Sequence, residues 1–394
     1  MAITTHNPPT RLLDLTRLIS RAGRAMTGVD RVEFAYLERL LGEGPLFGLI
    51  RSSFGYILLD QEGCQHVRDR MIDGAWGPPD RLAKLRKGLD PTRARAEAYL
   101  RRICLDRCLP MRLSRMLSRH LPIGVHYLNI GHSNLSERVI SALRLRKSRI
   151  AVMVHDTIPL DFPQYQRPDT TDRFRAFFDR VCRRADLILC NSYQTADDMA
   201  RHAKGALPEI AVAHLGVPVP KTGTAPSGAW TKPYFVSLST IEPRKNHALL
   251  LDIWPQVLDA HLIICGHRGW ENHDVFAKLD AKPSRVHELN DLPDDQLFAL
   301  LQGSAGLLFP SFAEGYGLPP IEAAALHVPV LCNDLPIYRE IMGNIPVYAD
   351  ASDRYLWQTT IIQMAEAHRT GLGGTPAFIP PSWDEHFKTV LTLI

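Results

Sequence analysis

The chain has 394 residues, 45% of them hydrophobic and 22% charged. That length accommodates two to three domains with full hydrophobic cores, and 26 glycines with 29 prolines are too few for a collagen-like or low-complexity chain. A formal charge of +4, spread over the whole chain, gives no reason to invoke nucleic acid.

No stretch approaches the roughly 20 apolar residues that a membrane span needs. The N-terminal residues show no apolar core ahead of a small-residue cleavage site, so no signal peptide is expected. The cysteines are Cys64, Cys104, Cys108, Cys182, Cys190, Cys265 and Cys332, with no C-x-x-C among them. Cys104 and Cys108 lie one helical turn apart, but no second pair completes a zinc site. A reduced, cytoplasmic compartment is the simplest reading.

In chain order, the first distinctive segment is basic. Residues 81–120 carry twelve Lys and Arg against three acids, a surplus of nine. Leu82, Leu85 and Leu89, then Leu105, Leu109, Leu113 and Leu117, recur at helix-like intervals, which predicts one or two basic amphipathic helices. Such a face suits either an anionic membrane surface or a solvated exterior over a packed core.

Beyond it, short apolar runs alternate with amphipathic stretches. Strands are predicted at 150–154, 186–190 and 210–213, with Asn191 and Ser192 capping the helix after the second. Residues 220–233, rich in Gly, Pro, Ser and Thr, read as a linker. The alternation then restarts, with strands at 234–238, 261–265, 285–289, 305–309, 328–332 and 345–348 and helices between them. Two successive α/β units with parallel sheets follow. The domains are therefore 1–219, 234–380 and a last stretch, 381–394, in which Ser382 starts a helix.

Ligands of such sheets sit beyond the carboxyl ends of the strands, and four residue clusters fall there. Arg244 and Lys245 are adjacent cations after strand 234–238, and Asn246 is a suitable cap for the next helix. Two cations beside helix amides suit a diphosphate, although a solvated turn has the same composition. Gly266 and Gly269 follow strand 261–265 and permit close backbone approach. Phe309–Ala325 reads FPSFAEGYGLPPIEAAA: a strand end, a Gly-x-Gly loop and a proline-started helix, with Glu314 in the loop and Glu322 in the first helical turn. The amides of Tyr316, Gly317 and Leu318 can meet phosphate or sugar oxygens, and Glu322 can accept from a ribose diol. His155 and Asp156 end strand 150–154, either as a polar pair facing a cleft or as a satisfied core histidine with its neighbour.

The string EGYGLPPIEA, preceded by STIEPRKN and CGHRGW, resembles the nucleotide-sugar half of the large retaining glycosyltransferase family with the GT-B fold, glycosyltransferase group 1, which includes bacterial polysaccharide mannosyltransferases. VHDTIPLDFP and NSYQT resemble the acceptor half of its bacterial members, and TGVDRVE at 27–33 resembles their N-terminal glycine loop. The resemblance implies an α/β protein with two Rossmann-like domains facing across a cleft. It implies that Arg244 and Lys245 hold the diphosphate, Glu322 the ribose, and Glu314 the donor sugar, with the amides of Gly315, Tyr316, Gly317 and Leu318 assisting. It further implies that Gly28 approaches the diphosphate from the other domain, His155 faces the reaction centre, Asp156 lies on the acceptor side and Gly266 lines the base pocket. The 381–394 helix would pack back on the N-terminal domain.

The activity so implied is transfer of a hexose, with retention, from a nucleoside-diphosphate sugar (GDP-mannose foremost) to a saccharide or lipid-linked acceptor. The nucleotide sugar is then a substrate and no cofactor is expected. No Asp-x-Asp occurs in the chain, and the cations can stabilise the departing diphosphate without metal. The protein would be cytoplasmic, with an anionic membrane surface as a partner and no nucleic acid. The rival readings are a silent sugar-nucleotide scaffold and a Rossmann-type oxidoreductase, and the latter lacks its glycine-rich fingerprint.

Overall fold

Runs of two to seven residues, most of them apolar and bounded by polar turns, are too short for stable helices, and they satisfy their backbone groups by lateral pairing. In the computed structural model, which describes residues 8–86 and 88–394, they form two open sheets. The first contains β1 (Arg11–Asp14), β2 (Leu46–Ser52), β3 (Gly55–Leu59), β4 (Asp106–Cys108), β5 (His126–Asn129), β6 (Arg149–Val154), β7 (Leu187–Cys190) and β8 (Glu209–Val212). Their order is β4-β3-β2-β1-β5-β6-β7-β8. The β2–β3 and β3–β4 pairs are antiparallel and the others parallel.

The second sheet contains β9 (Tyr234–Leu238), β10 (His261–Cys265), β11 (Val286–Leu289), β12 (Gly306–Phe309), β13 (Val330–Cys332) and β14 (Val347–Tyr348). It is parallel throughout, in the order β11-β10-β9-β12-β13-β14. That is the doubly wound arrangement, in which the chain reverses direction across the sheet between β9 and β12 and opens a crevice there. The first sheet has its own reversal between β1 and β5.

At the first reversal, Asp14 is buried at the end of β1. It accepts from the Thr16 amide at 3.0 Å, the Tyr127 hydroxyl at 2.8 Å and Asn134 Nδ2 at 2.7 Å. Burial still dominates these bonds and pushes its pKa up to about 6.

The helix Trp383–Val390 starts with a capping box between Ser382 and Glu385 and lies against the N-terminal unit. His386 Nδ1 meets the carbonyls of Ala213 and His214 at 3.2 and 3.0 Å, so that nitrogen carries the proton. Nε2 is then free to accept from the Tyr36 hydroxyl at 2.8 Å. The two sheets also meet through Glu340 on the helix Pro336–Met342. Its carboxylate accepts from the amides of Tyr193 and Gln194, at 2.8 and 2.9 Å, and lies 2.7 Å from His214 Nε2.

The basic segment differs from its periodicity. It divides into helices Arg81–Leu85 and Pro91–Ile103, the edge strand β4, and helix Leu113–His120. Leu105 and Leu109 lie outside any helix, while Leu113 and Leu117 are buried in the core with Met116. The leucine repeat therefore does not make one outward apolar face: two of its seven leucines, Leu113 and Leu117, pack inward on the helix that follows the strand. Leu117 is 0% exposed and Leu85 73%. Leu117→Ala is expected to cost about 2–5 kcal/mol and Leu85→Ala within about 0.5 kcal/mol, measured by urea denaturation.

Candidate functional site

The loop after β9 passes through a 3-10 turn, Pro243–Lys245, to Asn246. Asn246 has φ +54° and makes no side-chain cap. It turns the chain through a left-handed conformation that asparagine tolerates, rather than capping the helix His247–Ile253 as its residue type suggested. This turn points both cations at the loop after β12. Lys245 Nζ lies 2.5 Å from Glu314 Oε1 and 5.0 Å from the centre of the Phe309 ring. Arg244 lies 3.2 Å from the same carboxylate and 2.9 Å from Glu242, and it donates to the Ala313 carbonyl.

All three partners are largely buried. Burial works against the charge on Glu314, yet Lys245 and Arg244 outweigh it and hold the carboxyl below its ordinary range. Burial moves Lys245 the other way, lowering its pKa against the pull of Glu314. Sequence adjacency had offered two free cations; the structure matches both to carboxylates.

Gly317, at φ +78°, turns the chain into the helix Leu318–Ala325, and a Cβ there would meet the Tyr338 ring at 2.3 Å. Pro319 and Pro320 carry no amide, so the helix itself offers few free donors. The loop supplies them instead: among the described residues, the amides of Gly315, Tyr316, Gly317 and Leu318 donate to no protein acceptor. The Tyr316 ring turns away from the loop, and its hydroxyl donates to the Leu215 carbonyl at 3.0 Å. Glu322 sits in the second helical turn rather than the first.

Opposite, β6 ends at His155 and Asp156. The Ile130 carbonyl, 2.8 Å from His155 Nε2, fixes the proton on that nitrogen. Burial drives the His155 pKa down to about 4, so the ring is neutral at physiological pH. The Asp156 carboxyl is raised by burial, with Arg244 opposing. A Cβ on Gly315 would meet Asp156 Cβ and the His155 carbonyl, each at 2.9 Å, so the loop after β12 touches the end of β6 directly.

Gly28 is the first residue of the helix Gly28–Leu40, not part of a free loop. Thr27 and Asp30 form its capping box, and Asp30 also holds Arg17 and Arg21 at 2.6 and 2.7 Å. A Cβ on Gly28 would lie 3.3 Å from Leu318. One turn further, Arg31 reaches across to Glu322 Oε1 at 3.0 Å and Asp294 Oδ2 at 3.1 Å.

A cavity of about 500 Å³ between the sheets brings together every sequence-predicted site residue except Gly266. Gly266 instead faces the Ser239 carbonyl, which a Cβ would meet at 2.1 Å; its φ of +150° and that close approach explain the glycine. Arg17 and Arg31 also line the cavity and were not singled out from sequence. Arg31 directly follows the TGVD cap, but Arg17 lies ten residues before it on the helix Thr16–Ser20, and neither place marks a site residue. Two further cavities adjoin. One, of about 360 Å³, lies beyond Glu314 beside Asp156, Asp161 and Phe312. The other, of about 430 Å³, lies beyond Glu322 among Phe298, Leu318 and Trp383.

Two family models match this architecture. Residues 226–345 match "Glycosyl transferases group 1" and residues 75–220 match "Glycosyltransferase Family 4", together about two thirds of the chain. The serotype-specific mannosyltransferase WbdA of Escherichia coli is 31% identical over 228 residues, covering 51% of this chain but 28% of that protein. The O-antigen chain mannosyltransferase RfbU of Salmonella typhimurium is 25% identical over 236 residues, covering 56% and 65%. The chain thus spans under a third of WbdA and just under two thirds of RfbU. Among solved structures, Anabaena Alr3699/HepE in complex with UDP-glucose superposes with a TM-score of 0.60 at 12% identity, over 98% of this chain and 94% of that one. The E. coli trehalose-6-phosphate structure bound with UDP-2-fluoro glucose gives 0.57 at 13%, over 98% and 99%. These likenesses show the fold: two Rossmann-like domains in the GT-B arrangement.

Glu314→Gln leaves Lys245 buried beside a neutral amide and is expected to destabilise by about 3–5 kcal/mol at neutral pH. The folded-state pKa of Glu314 lies below its unfolded value, so its stabilisation is present above the ordinary carboxyl range and is lost as pH falls through the depressed value. Denaturation curves of wild type and variant should therefore converge in acid. A constant offset down to low pH would remove Glu314 from the charge cluster.

Proposed function

The chain belongs to the group 1 glycosyltransferases, and from that premise we propose that it transfers a hexose, with retention, from a nucleoside-diphosphate sugar to a saccharide or lipid-linked saccharide in surface polysaccharide synthesis. GDP-mannose is the foremost donor, a choice supported by the mannosyltransferases among its relatives. The observation that carries the reading is the set of four amides at 315–318, without a protein partner among the described residues, beside Arg244 and Lys245. The two cations share Glu314, and with the amides they converge on one crevice in a way that suits the oxygens of a departing diphosphate.

In this reading Arg244, Lys245 and the loop amides receive the charge that develops on the leaving group. Glu314 exchanges part of its cation contact for a hydroxyl of the donor sugar. His155 is neutral and fixed through Nε2, so it orients the sugar by hydrogen bonding and carries no proton away. The acceptor enters beside Asp156, from the 360 Å³ cavity. The acceptor proton leaves on the departing phosphate, as in the family this chain resembles. The pocket residues supply the positive charge, and the reaction so written needs no metal.

The test is release of nucleoside diphosphate from GDP-mannose and UDP-glucose by purified protein, with EDTA present throughout. Turnover of one donor is expected to persist in EDTA, and product formed with a lipid-linked acceptor should keep the donor's anomeric configuration by NMR. Arg244→Ala should lower turnover about 10- to 150-fold, the worth of one charge-assisted contact. Unchanged turnover in that variant would remove the diphosphate assignment.

The lipid-linked alternative has support in the exterior of the basic segment. Arg115 and Arg119 are exposed on the helix Leu113–His120 and Arg112 in the 3-10 turn before it, beside Leu109 and Met111, which are also exposed. Among the described residues no helix is long and apolar enough to cross a membrane. Surface attachment through these residues is therefore the proposal, at about 1 kcal/mol per cation. The protein is expected to sediment with anionic but not neutral vesicles at low salt, and replacing the three arginines with Gln should abolish this. Indifference to anionic vesicles would make the segment a solvated face.

A further inference from the structure

Arg31 joins the two domains where the central cavity meets the one beyond Glu322. On one side lies the cavity with Arg244 and Lys245, and on the other the more apolar cavity with Val217, Pro218 and Trp383; Arg31, Phe298, Leu318 and Glu322 line both. A nucleoside diphosphate has the same division, with a charged diphosphate, an apolar-faced base and a ribose between them. Its ribose would lie at the Arg31–Glu322 pair.

The pair is built to stay in place. The helix that carries Arg31 is fixed at its start by the Thr27–Asp30 capping box and by the two arginines that Asp30 holds. Further along, Glu33 is fully buried and accepts from the Leu18 amide at 3.3 Å. Gly28 packs against Leu318 of the opposite domain. Arg31 binds Glu322 through Oε1 alone, at 3.0 Å; no protein donor to Oε2 is found among the described residues. Its second arm goes to Asp294, which is well exposed, so the contact with the nearly buried Glu322 is the consequential one.

We propose that Arg31 is a positioning residue for the nucleotide, resting on the reading of Glu322 as the ribose carboxylate. It holds Glu322 Oε1 on its guanidinium and leaves Oε2 aimed to accept from the ribose hydroxyls. The ribose site is then complete only when the two domains are together, and nucleotide occupancy favours the closed arrangement.

The experiment measures binding of GDP, UDP and their 2′-deoxy forms to the full chain by calorimetry, for wild type, Arg31→Ala, Arg31→Lys and Glu322→Gln, with circular dichroism to confirm folding. Wild type is expected to bind the ribonucleotide at least about tenfold tighter than its deoxy form, the worth of one hydrogen bond to a charged group. Arg31→Ala should weaken the ribonucleotide by a similar factor and leave the deoxynucleotide nearly unchanged, so that the ratio falls toward one. Arg31→Lys, which keeps the charge, should recover part of the ratio. If Arg31→Ala weakens both forms equally, or leaves the ratio intact, Arg31 is only an interdomain tie and the proposal fails. If wild type does not discriminate and Glu322→Gln binds normally, the ribose reading of Glu322 fails instead. If none of the four nucleotides binds, the nucleotide-sugar reading falls and takes this proposal with it.

Discussion

Two cations and a carboxylate buried at one strand-end crevice constrain the rest of this molecule. Taking each ion out of water costs several kcal/mol, and that is recovered only when the partners are held in good geometry. Lys245, Arg244 and Glu314 come from loops after two different strands, β9 and β12, which are neighbours in the sheet. Their contact therefore depends on the register of that pair. The Phe312 amide, bonded to the Arg244 carbonyl at 2.9 Å, ties the same two loops through the backbone. The cluster then holds the 315–318 loop against the end of β6, where His155 and Asp156 wait.

The N-terminal domain answers this with charge of its own. Asp30 gathers Arg17, Arg21 and the Thr27 cap into one network, and Arg31 extends from the same helix. The cavity wall thus carries cations from both domains, with Glu314, Glu322 and Asp156 among them. An arrangement so nearly balanced suits a ligand that exchanges contacts rather than one that fills an empty positive hole.

Much of this was legible because the chemistry is local in sequence. Strand ends, the Gly-x-Gly loop, the two prolines at the helix start and the adjacent cations lie within short windows, and parallel sheets bring such windows to one edge. What stayed hidden depends on contacts across hundreds of residues. Arg31 and Glu322 are 291 positions apart, and nothing in the run TGVDRVE separates Arg31 from an ordinary exposed helix residue. Gly266 failed for the opposite reason: its glycine signature was genuine, but the close approach it permits is to Ser239, not to the cavity. In the basic segment the leucine period was real too, yet the three-residue strand β4 breaks the helix, and periodicity alone has no way to register an edge strand that short. No strand was legible before residue 150: β1 and β3 are buried on both faces and show no alternation, and the parallel β1, β2 and β5 escaped together with the antiparallel β3 and β4.

Glu340 gives the arrangement of the two domains a preferred setting. The amides of Tyr193 and Gln194, at the first turn of the helix Tyr193–His202, take as acceptor a carboxylate that belongs to the other domain. Helix ends left without partners must find water or lose stability. A swing of one domain away from the other therefore leaves two first-turn amides without their acceptor, although Ser192 still caps the helix through the Thr195 amide, while a return restores the contact over a short range. The contact behaves as a detent does in a hinge: weak against a large ligand-driven rotation, stiff against small ones. It lies beside the 360 Å³ cavity, whose wall includes Gln194 and Pro336, so the same catch that sets the angle between the domains also sets the width of that entrance.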